Sequence, residues 1–128
     1  EEKERGDLRA MLLTFPFPPS QNNLWRGARK GHYLSDAYKK WRDAADVSFQ
    51  QQRRHIGPPI KGGFHYHIIL DEKKRANRDG DNFTKAVLDQ LQRCEIIEND
   101  NLANAGSWNW GPVQEPGTCQ VFIYQRRA

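Results

Sequence analysis

The sequence is poor in cysteine and in long apolar runs, and each shortage removes a class of protein. Two cysteines, Cys94 and Cys119, are too few for a secreted scaffold that depends on disulfides. Neither has a second cysteine or a histidine at ligand spacing, so a zinc site is disfavoured and two free thiols of a cytosolic protein are expected. No stretch nears the ~18 consecutive apolar residues of a membrane span. The longest, around Phe64 to Leu70, has the length of a strand, so no membrane partner is expected. Glu1 to Ala10 is charged and lacks the apolar core of a signal peptide. There is no Gly-x-x-x-x-Gly-Lys loop, which excludes a P-loop nucleotide hydrolase.

What the chain does have is charge. Its 128 residues suit one domain, and a mean hydropathy of −0.93 describes a very polar surface. Twenty Lys and Arg stand against 16 Asp and Glu, a net charge of +4. The excess is gathered in two places. Arg26, Arg29, Lys30, Lys39, Lys40 and Arg42 face only Asp36 in their segment, and Lys73, Lys74, Arg75 and Arg78 have no acid among them. Such clusters suit a polyanionic partner, because each cation that neutralises a phosphate releases condensed counterions. A solvated charged face is the plainer reading of the same residues.

Patterning gives the elements. Met11 to Phe15 reads as a strand that Pro16 to Pro19 cannot continue. Gln21 to Leu34, with Gly27, Gly31 and three positive charges, reads as a mobile basic loop. Ser35 offers an N-cap to a helix ending near Arg54, whose stripe is Tyr38, Trp41, Ala45 and Phe49. Phe64, Tyr66, Ile68 and Leu70 alternate along a second strand. Asp81 to Cys94 reads as a helix with Phe83, Val87, Leu88 and Leu91 buried, and Glu98 to Asn101 as an acidic turn. Ala105 to Trp110 and Thr118 to Gln125 read as a closing hairpin. The layout predicts an α+β fold, a small mixed sheet packed with two main helices. It divides into a charged extension over 1–10 and a single domain over 11–128.

The chemically informative segment is Arg78-Asp79-Gly80-Asp81-Asn82-Phe83-Thr84-Lys85. Two carboxylates one residue apart repel, by roughly 4 kcal/mol at ~4 Å in a surface-like dielectric. A hard divalent cation removes that repulsion, and Mg²⁺ is typically held by one or two carboxylates with phosphate oxygens and waters. A helix N-terminus at this point favours both the aspartates and a phosphate. Lys85, four residues after Asp81, shares its helix face and reaches the same phosphate. An EF-hand is excluded: counted from Asp79, the sixth and twelfth positions are Thr84 and Gln90 rather than Gly and Glu. By itself, however, Asp-x-Asp also serves as a helix cap and occurs in metal-dependent sugar transferases.

The wider pattern resembles the RusA family of Holliday-junction resolvases. The resemblance begins at Phe15-Pro16-Phe17-Pro18-Pro19-Ser20-Gln21-Asn22-Asn23 and continues through His32-Tyr33-Leu34-Ser35. It is strongest at Asp79-Gly80-Asp81-Asn82-Phe83-Thr84-Lys85 and at Ile97-Glu98-Asn99-Asp100. It implies Asp79, Asp81 and Asp100 as ligands of Mg²⁺, with Mn²⁺ as a substitute, and Lys85 as the essential lysine. It also implies a homodimer acting on branched DNA, the four-way junction, in a cytoplasmic, nucleoid-associated setting encoded by a bacterium or a phage. The chain departs from the family at Gly80, where an apolar residue is usual. Arg26, Arg29, Lys30, Lys73, Lys74, Arg75, Arg78 and Asn82 are the expected DNA contacts. Trp25 is the best candidate for stacking on a base and Trp41 for the core. His65 and His67 have no further ligand at a useful spacing and are expected on a solvent or interface face. Asp89, one turn beyond Lys85, either orients that lysine or is a surface partner.

Overall fold

Strict alternation of large apolar residues makes the strands, and a three-four spacing makes the helices; their meeting defines one core. The computed structural model describes residues 8–28 and 31–126. Four strands form a mixed sheet in the order β1, β6, β4, β5. Strand β1 (Leu8–Pro16) runs antiparallel to β6 (Thr118–Arg126), β6 antiparallel to β4 (Phe64–Asp71), and β4 parallel to β5 (Ala103–Gly111). Helices α1 (Asp36–Gln52) and α2 (Thr84–Arg93) complete the α+β architecture expected from the pattern.

One face of the sheet supplies Leu13, Phe15, Phe64, Ile68, Leu70, Val121 and Ile123, all fully buried, against Trp41 and Ala45 of α1 and Val87 and Leu91 of α2. Each large side chain removed from water in this way stabilises the fold by about 1.5–3 kcal/mol. Ser35 caps α1 as expected: its Oγ accepts from the Tyr38 N–H at 3.1 Å and donates to the Asn23 carbonyl at 2.5 Å. The free edge of β1 is closed by α1, since Gln52 Oε1 accepts from the Thr14 N–H at 2.8 Å and Ser48 Oγ donates to the Thr14 carbonyl at 2.7 Å. The opposite face of the sheet carries exposed Leu12, Phe122 and Tyr124 beside His65 and His67. His65 stacks on Tyr124, and His67 bonds to Ser107 and Asn109, so both histidines lie on an open face as expected.

Three expectations are corrected. The segment 21–34 is not simply a loop: a 3-10 turn over Gln21–Asn23 leads into a two-stranded ribbon, β2 (Trp25–Ala28) paired antiparallel with β3 (Gly31–Leu34). Backbone pairing holds such a ribbon, and a pairing of main chains leaves no apolar alternation to read. Strands β5 and β6 are not a hairpin, because β4 lies between them. Strand β4 has the more deeply buried face and takes an inner place, whereas β5, with Asn104, Ser107 and Asn109 exposed, suits an edge. Finally, the helix expected over Asp81 to Cys94 begins as a separate 3-10 turn, Gly80–Phe83, before α2 proper. The Asp79 side chain accepts from the Asp81 N–H and tightens the entry. Helix α2 ends at Arg93 and the chain turns at Glu95 (φ 62°), with the Glu95 N–H bonded to the Gln92 carbonyl and the Ile96 N–H to the Leu91 carbonyl.

Candidate active site

The connection from β4 to β5 carries every residue of the acidic motif. At its start the buried Asp71 carboxylate accepts from the Gly117 N–H at 2.7 Å and the Lys73 N–H at 3.0 Å. These two backbone bonds, Gly117 first, hold its carboxyl below the usual carboxylate range. They also anchor the exposed basic turn of Lys73, Lys74 and Arg75. Ala76 (φ 44°) reverses the chain, which returns through Asn77 and Arg78 to Asp79.

Asp79 and Asp81 are exposed and flank Gly80, which is buried. A Cβ built on Gly80 would collide with Trp108 Cζ3, so the indole of β5 occupies the space that a side chain at position 80 needs. This explains the departure at Gly80: the bulk is supplied from across the contact instead.

Lys85 occupies the centre of the arrangement. Its Nζ lies 3.1 Å from Asp89 Oδ1, one turn along α2, and 3.3 Å from Asp100 Oδ2, in the turn before β5. The hydrogen bond to Asp89 and then the bond to Asp100 raise the affinity of the amine for its proton. Both pairs are partly solvated, so each contributes at most ~1 kcal/mol to stability; their value is positional. Asp100 is fixed from behind by its own N–H, which donates to Gln92 Oε1 at 3.2 Å.

Tyr66 feels the charge of two of these carboxylates. Its ring lies on Gly106, where an added Cβ would collide with Tyr66 Cζ. Its hydroxyl holds its proton more tightly than usual, through burial first and then through the charges of Asp81 and Asp100. Asp81 and Asp100, from opposite ends of the connection, therefore act on one hydroxyl. Among the described residues no three Asp, Glu, His or Cys side chains are gathered into a ready metal cage. One oxygen of Asp79 caps the Asp81 N–H and one of Asp100 pairs with Lys85. Asp79, Asp81 and Asp100, the expected ligands, are all carboxylates, the chemistry of a hard divalent cation and not of a thiophilic one.

The expected DNA contacts divide. Arg78 is held in place, its guanidinium 5.5 Å from the Phe83 ring centroid and 6.0 Å from that of Phe17. Those rings pack with Trp110. Lys73, Lys74 and Arg75 are exposed beside the acidic motif, and Asn82 is half-buried within it. Arg26 falls on β2, and Arg29 and Lys30 lie outside the described residues. Trp25 is 48% exposed, open enough to stack, whereas Trp41 is buried and donates to the Pro16 carbonyl. Tyr66 escaped sequence reasoning as a site residue, and the contact of Trp108 with Gly80 was not expected. Tyr66 read as one more core position in an alternating strand, and the only signal for either was a glycine, Gly106 or Gly80, placed where an aromatic must fit.

A family model described as Endodeoxyribonuclease RusA matches residues 16–109, a span that contains Asp79, Asp81, Lys85 and Asp100. The chain is also 32% identical over 88 residues to a protein of Enterobacteria phage HK97 named crossover junction endodeoxyribonuclease rusA, covering 69% of this chain and 72% of that relative.

Proposed function

Because the chain belongs to the RusA family of endodeoxyribonucleases, we propose that it resolves four-way DNA junctions by paired, symmetric hydrolysis of phosphodiesters in opposed strands. Asp79, Asp81 and Asp100 would hold Mg²⁺, or Mn²⁺ in its place. Such a cation supplies neutralisation of phosphate charge and activation of the attacking water. The chain's own groups do the rest. Lys85, steered by Asp89, offers its ammonium to a phosphate oxygen as charge develops there. Arg78 grips an adjacent phosphate from its seat on Phe17 and Phe83, and Lys73, Lys74 and Arg75 extend the cationic track. Residues 11–128 act as one nuclease domain. It works on the DNA of the cytoplasm, where branched intermediates form.

The active unit is a homodimer. A four-way junction has dyad symmetry and is resolved only by two matched cuts, which two symmetry-related sites deliver. An open sheet face bearing Leu12, Phe122 and Tyr124 suits such self-association.

The observation that carries the catalytic reading is the bridge from Lys85 to Asp100, which ties the helix that follows Asp81 to the turn bearing the third carboxylate. The test is to incubate the protein with labelled four-way junction, flap, fork and linear duplex, with and without Mg²⁺. Paired cuts in the junction that require the metal are expected. Asp79→Asn should lose cutting and keep binding; full activity in that variant refutes the assignment. Preferential cutting of flaps or forks identifies a structure-selective nuclease instead, and a retarded but uncut junction identifies a binder.

A further inference from the structure

Beside Asp79, and away from Asp81 and Asp100, which do not line it, lies a groove of about 570 Å³. That is within the ~300–1,000 Å³ range of small-molecule sites, enough for a nucleotide and far too little for a duplex. Four asparagines line it, Asn22 and Asn23 from the turn before β2, and Asn77 and Asn82 from either side of the acidic motif. Arg78 and Asp79 join them. Pro18 and Phe83, both themselves buried, also line the groove, and the Arg78 guanidinium lies over the Phe83 ring.

Both walls are braced. Buried Ser35 accepts from Tyr38 at the start of α1, and its Oγ donates to the Asn23 carbonyl. Its N–H donates to the Leu24 carbonyl at 3.0 Å, so the Asn22–Asn23 turn is fastened to the helix. Opposite, the Arg78 N–H donates to the Arg75 carbonyl, the Asn82 N–H to the Asp79 carbonyl, and the Arg78 guanidinium rests on two rings. The four asparagines therefore border a braced space of nucleotide size that mixes amide and apolar lining, with the planar Arg78 guanidinium seated on Phe83 at its side. An amide presents a donor and an acceptor together, the pattern that reads a base edge bidentately.

We infer that this groove seats one nucleobase of the cleaved strand, drawn out of the stack next to the scissile phosphate, and that Asn22 and Asn77 read its edge and set the sequence at which the strand is cut. The inference rests on the junction-nuclease reading above. Unstacking is least costly at a branch point, where neighbouring bases are already partly released. Arg78, at the groove and beside Asp79, holds the phosphate that joins the seated nucleotide to the cut. A phosphate clamp alone needs cations; four neutral amides contribute hydrogen-bond pattern instead.

The experiment uses the whole protein and four-way junctions carrying 2-aminopurine at each position around the cut, in EDTA so that binding proceeds without cleavage. A several-fold rise in fluorescence at one position is expected, and its loss in Asn22→Ala and in Asn77→Ala while gel retardation of the junction persists. In parallel, junctions with a randomised core are cut in Mg²⁺. The wild type should favour one base at the position that lights up, and the variants should flatten that preference at least fivefold more than they lower summed cutting. Asn22 and Asn77 are exposed, so folding should survive; thermal melting verifies it, and Asn77→Gln provides a variant with the amide kept but displaced, expected to shift or weaken the preference. A retarded junction with no fluorescence change at any position, or variants that slow every cut equally with the preference intact, overturns the inference and leaves the nuclease reading standing. A protein that neither retards nor cuts the junction overturns both.

Discussion

The pair Gly80 and Trp108 makes a demanding test of how the acidic motif is held. A methyl at position 80 would stand 2.6 Å from Trp108 Cε3 and 2.9 Å from Cη2, and closer still to Cζ3, well inside van der Waals separation. Gly80→Ala therefore forces either the ring or the 3-10 turn to move. Overpacking of this kind costs about 1–3 kcal/mol. The backbone at Gly80 is open to an L residue, so the smaller unfolded-state entropy of alanine returns about 0.4–1 kcal/mol. A net loss of roughly 1–2 kcal/mol is expected, or about 1 M in the urea midpoint for a slope near 1.5 kcal/mol/M. Trp108→Ala is also destabilising, since the ring packs against the core. In the double variant the methyl enters the vacated space, so the two losses should fail to add, by about 1–2 kcal/mol. Junction cutting should follow the same pattern, because Asp79 and Asp81 flank the displaced residue. Urea unfolding of the four proteins measures the coupling. Additivity to within about 0.5 kcal/mol, or a Gly80→Ala protein more stable than the parent, refutes the packing argument.

Other predictions follow from single side chains. Replacing Lys73, Lys74 and Arg75 with Gln should weaken junction binding and lower the slope of log K against log salt by about 0.9 for each duplex-arm phosphate that is no longer neutralised; an unchanged slope removes these residues from the interface. Glu95 occupies a left-handed position (φ 62°) at the end of α2, so Glu95→Gly should stabilise the protein by about 1 kcal/mol, read as a higher melting temperature. Asp71 has a folded pKa below its ordinary 3.8. Its contribution is therefore complete at pH values above that figure and disappears as the pH falls from there through the folded value, where the unfolded chain takes up the proton first. Asp71→Asn should flatten the dependence of melting temperature on pH below about pH 5, and a slope equal to the parent's would show that the Gly117 and Lys73 bonds do not discriminate between the charged and neutral forms.

What was legible in the sequence was periodic or contiguous. The Tyr38, Trp41, Ala45 stripe needs only the helical period, and all three residues are buried. The alternation from Phe64 to Leu70 needs only the strand period, and Phe64, Ile68 and Leu70 are fully buried. The link from Lys85 to Asp89 is one helical turn and could be drawn from spacing alone. The link from Lys85 to Asp100 could not, since it depends on how the chain returns after α2. The same limit hid the ribbon at 25–34 and the insertion of β4 between β5 and β6. Both are pairings of backbones, and side-chain pattern says which face of a strand is wet without saying which strand lies beside it. Tyr66 shows the ambiguity most sharply. Alternation assigns it to the inner face, correctly, but near the β5 edge that face gives onto Asp81 and Asp100.

The parallel pairing of β4 with β5 explains why the three aspartates share one long connection. Parallel neighbours cannot be joined by a tight turn, so the chain leaving Asp71 must travel the length of the sheet before it enters β5 at Ala103. Asp79 and Asp81 lie early in that passage, Asp100 at its end, and α2 between them supplies Lys85 and Gln92, one to each side of Asp100. Entry into β5 is irregular: Phe64 pairs with Ala103 and His65 with Ala105, leaving Asn104 unpaired as a bulge. That extra residue lies four positions after Asp100 and alters the course of the strand just beyond the acidic turn. Register on the far side of the bulge aligns Gly106 with Tyr66 and Trp108 with Ile68. One stretch of an exposed edge strand thus sets the Tyr66 ring, the cover over Gly80 and the approach of Asp100. It follows that the glycine at position 106 is a packing requirement of this edge, because a larger side chain there would drive the Tyr66 ring from its place.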